Sequence, residues 1–270
     1  MSQVAKRLFG FRGLLLTLVV RELKARYRGS LLGYFWSLIN PLLLLAVYTF
    51  VFNYIFRPRM EGADPYALFL MTGLFPWIWV SASLLEGTVS LTGNAGLIRK
   101  AVFPAEVLPM VTVLSNLVHF LFALPILAGA LIVGRLMMGY PVGGWTAVLL
   151  PLVVLVQLPL LAGMSLGLAA LNVHFKDVKD IVSNLLTLMF FLTPIIYVLT
   201  SIPVEFGALR WVIAWANPFT PFTMGYQALL FHGVVPSPML WLHMLAWTVV
   251  AWVTGSWLFG RLGENLAEAV

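Results

Sequence analysis

From Trp145 to Val173 the chain is predominantly apolar and contains no Asp, Glu, Lys or Arg. A bilayer's hydrocarbon core is crossed by roughly 20 such residues in an α-helix. Length alone therefore marks this stretch as a membrane span, and the same holds for Met239–Gly260. Four further stretches qualify, at about Leu31–Phe56, Tyr66–Leu85, Val107–Gly134 and Ile181–Thr200. Pro76 interrupts the second and Pro194 the fifth, which neighbouring helices in a bundle accommodate. Composition agrees: 61% of residues are hydrophobic, 10% are charged, and the mean hydropathy is +0.97. A soluble domain is nearer half apolar and a quarter charged. The expected fold is an all-α integral membrane protein with six transmembrane helices in one domain.

The first 30 residues need a different account. LLLTLVV follows Lys6, Arg7 and Arg12, as in a signal peptide, but it is short and leads into RELKARYR with no small-residue cleavage pattern. Val4, Leu8, Phe11, Leu15 and Leu18 recur at helical spacing, so the segment is expected to be an amphipathic helix on the membrane surface. Placing it inside leaves only Arg57, Arg59, Arg135 and Arg210 outside, out of 16 lysines and arginines. Both termini are then cytoplasmic by the positive-inside rule.

Residues 201–238 are too many for a simple turn, yet they stay rich in Phe, Trp and Leu. They read as two short helices, about Val204–Ala216 and Pro221–Phe231, broken at NPFTP (Asn217–Pro221). Neither is long enough to span, so an outer re-entrant or interfacial hairpin before the last span is expected.

Several chemistries are unsupported. The chain has no cysteine, no HExxH pair among its four histidines and no GxxxxGK[ST] phosphate loop. Its net charge of +6 comes from bases that mostly flank spans, which favours lipid phosphate over nucleic acid.

Three groups of residues can carry function. Arg21, Lys24, Arg26 and Arg28 lead directly into Tyr34, Phe35 and Trp36. Such bases can meet lipid phosphate or a diphosphate headgroup, although on charge alone simple positive-inside anchoring, which needs no substrate, is the better account. The first two spans are rich in aromatics, including Tyr48, Phe52 and Phe75, whose faces suit sugar rings. An interfacial belt explains those near the ends, such as Trp77 and Trp79, better than it explains mid-span Tyr48. The inner loop Thr92–Pro109 allows a short helix over about Asn94–Val102, stopped by Pro104. Its Arg99, Lys100 and Glu106 offer contacts to a soluble partner, as does HFKDVKD (His174–Asp180). Glu86 is expected near the inner headgroups, and His119 to be packed or paired. Gly29–Gly33 and Gly163–Gly167 are GxxxG patterns that allow close helix approach without establishing dimerisation.

RELKARYRGSLLGYFWSLINP resembles the N-terminal signature of permease subunits of bacterial ABC exporters for cell-surface polysaccharides, which move lipid-linked O-antigen, capsule or teichoic-acid chains. The resemblance continues through LIRKAVFPAEVLP, HFKDVKD, LTPIIY and NPFTPF, in that order along nearly the whole chain. It implies two copies of a six-span subunit in the inner membrane with two separate ATP-binding subunits, which hold the ATP and Mg; this chain carries no cofactor. The lipid-phosphate entrance falls at Arg21, Lys24, Arg26 and Arg28. The glycan channel falls at Tyr34, Phe35, Trp36, Tyr48, Phe52 and Phe75. Coupling to the ATPase falls at Asn94, Arg99, Lys100, Phe103 and Glu106. The outer gate falls at Trp211, Asn217, Pro218, Phe219, Pro221 and Phe222. The chain itself would be a transport subunit and not an enzyme. The rival readings are an ABC exporter of small lipids or drugs on the same plan, and a channel or structural membrane protein that works without ATP.

Overall fold

The computed structural model describes residues 10–56, 61–100 and 104–263, and every regular element among them is helical. In chain order these are α1 (Arg12–Arg26), α2 (Trp36–Phe50, prolonged to Phe56 as a π-helix), α3 (Tyr66–Thr88), α4 (Ala95–Lys100) and α5 (Val107–Met137). There follow α6 (Leu150–His174), led in by the 3-10 turn Trp145–Leu149, and α7 (Val178–Leu192). The last three are α8 (Gly207–Trp211, prolonged to Ala216 as a π-helix), α9 (Thr220–Tyr226, prolonged to His232 likewise) and α10 (Pro238–Leu262).

Among the described residues, five helical segments are long and apolar enough to cross a membrane: Trp36–Phe56, Tyr66–Thr88, Val107–Met137, Trp145–His174 and Pro238–Leu262. They coincide with five of the six expected spans. The remaining one differs. The helix expected over Ile181–Thr200 begins at Val178 and stops at Leu192. Its 15 residues measure about 22 Å, against a hydrocarbon core of about 30 Å. Pro194 is the cause: it has no N–H and pushes the preceding residue out of helical geometry. Thr193 is accordingly extended, at φ −93° and ψ 137°. Thr193, Pro194 and Ile195 are all buried, so this non-helical backbone lies inside the protein.

α3 is the centre of the bundle, since every residue from Tyr66 to Trp77 is buried. Trp79 stacks on Phe120 of α5 at 5.3 Å between ring centroids, and Phe120 meets Tyr226 of α9 edge-on at 5.9 Å. α6 and α10 meet along a glycine seam. A β-carbon on Gly163 would strike the backbone of Ala251 and Trp252, and one on Gly167 would reach the Cα of Gly255 at 3.2 Å. The second GxxxG pattern thus serves a contact within one chain. The first makes a turn: Gly29 and Gly33 have φ of +79° and +52°, a region that L side chains rarely adopt.

α1 buries Leu18 and Val19 against Val107 and Val111 of α5. Leu15 is half-buried and Phe11 is exposed, while Val4 and Leu8 of the expected stripe lie outside the described residues. α2 is the least covered span, with Ser37 its only buried residue between Trp36 and Phe50.

Candidate functional site

The turn at Gly29–Gly33 folds the end of α1 back over the start of α2, and the two enclose a cavity of about 430 Å³ with α3 and α5. Its polar lining includes Arg26, Tyr27, Ser37, Asn40, Asn116 and His119, and its aromatic lining Trp36, Phe75, Trp79 and Phe120. By chain direction, α2 enters this region at its beginning and α3 arrives near its end, so the cavity lies in the half of the bundle that carries α1 and α4.

Two polar knots tie the helices together here. In the first, Arg26 Nη2 donates to Glu86 Oε2 at 2.6 Å and Nη1 donates to Asn116 Oδ1 at 3.2 Å. Asn116 Nδ2 donates in turn to the same Glu86 oxygen at 2.8 Å, and to the Thr112 carbonyl at 3.1 Å. The side chains of Arg26 and Glu86 are 29% and 42% exposed, so this pair adds at most about 1 kcal/mol to stability. Its larger effect is to hold three helices in register. In the second knot, the Tyr27 hydroxyl bonds Ser37 Oγ and lies 3.1 Å from His119 Nδ1, with Ser37 Oγ 3.2 Å from the same nitrogen. His119 is therefore paired, as the sequence led one to expect, and Glu86 meets a base.

The cavity brings together Arg26, Trp36 and Phe75 from the entrance and channel sets. Phe75 is buried, and Phe35 is exposed at the surface. Tyr34 lies in the 3-10 turn Gly33–Phe35, and the position of its side chain is not described. Arg21, Lys24 and Arg28 are exposed and do not line the cavity. Tyr48 and Phe52 sit apart from it, in the other half of α2. They stack at 5.9 Å, Phe52 meets Tyr66 edge-on at 4.6 Å, and the series continues through Phe69 to Phe231.

In the loop between α3 and α5, Asn94 closes the 3-10 turn Thr92–Asn94 and donates from Nδ2 to the Ser90 carbonyl at 2.9 Å. Arg99 and Lys100 lie on α4, and Phe103 lies outside the described residues. Glu106, expected to face a soluble partner, is instead buried at 4% exposure beside the first turn of α5. In the hairpin, Asn217 is the anchor. Its Nδ2 donates to Thr193 Oγ1 at 2.9 Å and to the Leu192 carbonyl at 3.3 Å, while its Oδ1 accepts from Phe219 N at 2.9 Å. Phe219 is edge-on to Trp77 at 5.4 Å, Pro221 and Phe222 are buried, Pro218 is half-buried, and Trp211 is 61% exposed.

Three buried polar residues that the sequence reading passed over hold the hairpin down. Tyr226 OH donates to Gln157 Oε1 at 2.7 Å, and Gln227 Nε2 donates to the Pro194 carbonyl at 2.8 Å. The available signal was a lone amide within an otherwise apolar stretch, since a polar side chain at such a position needs a partner. Asn116 carries the same signal.

Residues 13–231 match the ABC-2 type transporter family. The chain belongs to this family. It is 38% identical to the O-antigen export system permease protein RfbA of Myxococcus xanthus over 100% of both chains. It is 33% identical to a protein of the same name from Klebsiella pneumoniae over 94% of both chains. It is also 22% identical to the polysialic acid transport protein KpsM of Escherichia coli, over 72% of this chain and 74% of that one. Family and spans together make the chain a multi-pass membrane protein, the transmembrane subunit of an ABC-2 type transporter.

Proposed function

We propose that the chain is the membrane-spanning subunit of an exporter that moves lipid-linked polysaccharide outward across the inner membrane, driven by ATP hydrolysis in a separate chain. The observation that carries this reading is full-length similarity to proteins named as O-antigen export permeases. α2 supports a paired arrangement, because Phe50, Tyr54 and Phe56 stand exposed along a span that its own subunit barely covers. Facing the same helix of a second copy, these rings would bound a channel whose aromatic grip is weak and repeated, so that a glycan slides through it, with half-buried Tyr48 set back toward its own subunit.

Counting α7 together with the buried segment Thr193–Ile195 as a sixth crossing leaves both termini on one side, which the positive-inside rule makes cytoplasmic. The exposed bases Arg21, Lys24 and Arg28 then lie at inner-headgroup depth, where they attract the diphosphate of the lipid carrier. α4 and its flanking turns face the ATP-binding subunit and pass its motion to α3 and α5. ATP and Mg reside in that subunit.

The test is deletion in the native organism combined with affinity purification. The expected outcome is loss of surface glycan with accumulation of lipid-linked glycan inside, and co-purification of an ATP-binding chain. Normal surface glycan after deletion would overturn the reading, and purification without any ATP-binding chain would favour a channel.

A further inference from the structure

We propose that Arg26, Glu86 and Asn116 form a brace that makes the interface helix α1 move as one body with the segment that meets the ATPase. This rests on the function proposed above. Arg26 is the last residue of α1, Glu86 lies just before the end of α3 at Thr88, and Asn116 lies in the inner half of α5. α3 and α5 are the two helices that flank α4. One guanidinium therefore bonds both arms of the coupling loop, and the Asn116–Glu86 bond closes the triangle.

The triangle has a downstream connection. Tyr27, next to Arg26, is bonded to Ser37 in the first turn of α2, across the turn made by Gly29 and Gly33. Displacement of α4 is thus passed to α3 and α5, through the brace to α1, and from α1 to the start of the least covered span. Beside the brace, α1 meets α5 through the apolar contacts of Leu14, Leu15, Leu18, Val19 and Leu23, and through Tyr27 at its end, which lies against His119; the brace alone ties it to α3 and α5 together. Because both charges are partly exposed, removing the pair leaves the fold intact and shows in transmission. This use of Arg26 also separates it from Arg21, Lys24 and Arg28. Its two terminal nitrogens are engaged by the protein, which leaves lipid phosphate to the other three.

The experiment uses Glu86→Gln, Arg26→Gln and the charge exchange Arg26→Glu with Glu86→Arg, in which the Asn116 amide serves both partners by flipping. The chain has no cysteine, so spin labels at Lys24→Cys on α1 and Gly96→Cys on α4 report the distance between these helices without background. In vesicles without nucleotide, the distance distribution is expected to be narrow in the otherwise unmodified chain, broad in both single variants, and narrow again in the exchange. In cells, surface glycan exported per ATP hydrolysed is expected to fall about tenfold in each single variant and to recover in the exchange, a change typical of coupling between sites. Unchanged distances in the single variants, or singles that export as well as the parent, would overturn the brace. The distance measurement needs neither glycan nor ATP. It therefore judges the brace even where the parent complex exports no glycan, a result that would sink the proposed function instead.

Discussion

A β-carbon placed on Gly255 of α10 would collide with the carbonyl oxygen of Gly163 of α6. The two backbones are in direct contact, which only glycine permits, and small residues at such crossings are how helices associate closely in a bilayer. Gly255→Leu is expected to force the helices apart at a cost of about 1–3 kcal/mol. The readout is a lower thermal unfolding midpoint of the purified protein in detergent. Gly260→Leu, on the same helix but with nothing within 4 Å of its β-position, is the control and should leave the midpoint in place. Equal midpoints for the two variants would show that the seam does not hold α10.

Tyr226→Phe removes the hydroxyl that donates to Gln157 and leaves a buried amide oxygen without that partner. A lost bond of this kind costs about 1–3 kcal/mol. The hairpin arm α9 is expected to loosen first, seen as faster backbone hydrogen exchange over Thr220–His232 than over α3. Uniform exchange across the molecule would place the loss in global stability, and unchanged exchange would remove any anchoring role from Tyr226.

Five of the six expected spans were legible because they depend on length and apolarity, which are properties of a local stretch. The two short helices that meet near Asn217–Phe219 were legible for a related reason: the prolines at 218 and 221 interrupt the apolar run there. What stayed hidden depends on neighbours distant in sequence. Arg26 reads as one of four exposed bases, and only the approach of Glu86 and Asn116, 60 and 90 positions away, makes it different from Arg28. Glu106 reads as a surface charge because its loop is polar, but the first turn of α5 packs inward there and buries it. α7 ends early because Pro194 sits where the chain is enclosed by protein, a fact that hydropathy averaged over a window does not register. The NPFTPF segment was recognised as a break, whereas its role as an anchor comes from Leu192 and Thr193 at the end of α7.

Tyr48 and Phe52 test the channel. Tyr48→Ala is expected to cut surface glycan about tenfold, the loss of roughly 1.4 kcal/mol of favourable passage, with the ATP-binding subunit still co-purifying. Phe52 is less clean, since it also packs on Tyr66 and its removal loosens α2 from α3. The conservative change Tyr48→Phe keeps a ring and should keep export. Full surface glycan, by immunoblot, in Tyr48→Ala cells would remove this residue from the channel wall.

Arg99 and Phe103, in the loop segment between α3 and α5, test the contact with the ATPase. If the segment Asn94–Glu106 is what the ATP-binding subunit pushes, Arg99→Ala and Phe103→Ala should let hydrolysis continue while export falls several-fold, because the two sites stay intact and only their coupling free energy is reduced. The measurement is ATP turnover and glycan export on the same reconstituted vesicles, expressed as a ratio. Glu106→Gln serves as the contrast: its side chain is buried in this subunit, so its removal should lower stability without selectively changing that ratio. A ratio that stays at the parent value in both Arg99→Ala and Phe103→Ala would move the coupling surface elsewhere, with the HFKDVKD turn between α6 and α7 as the next segment to test.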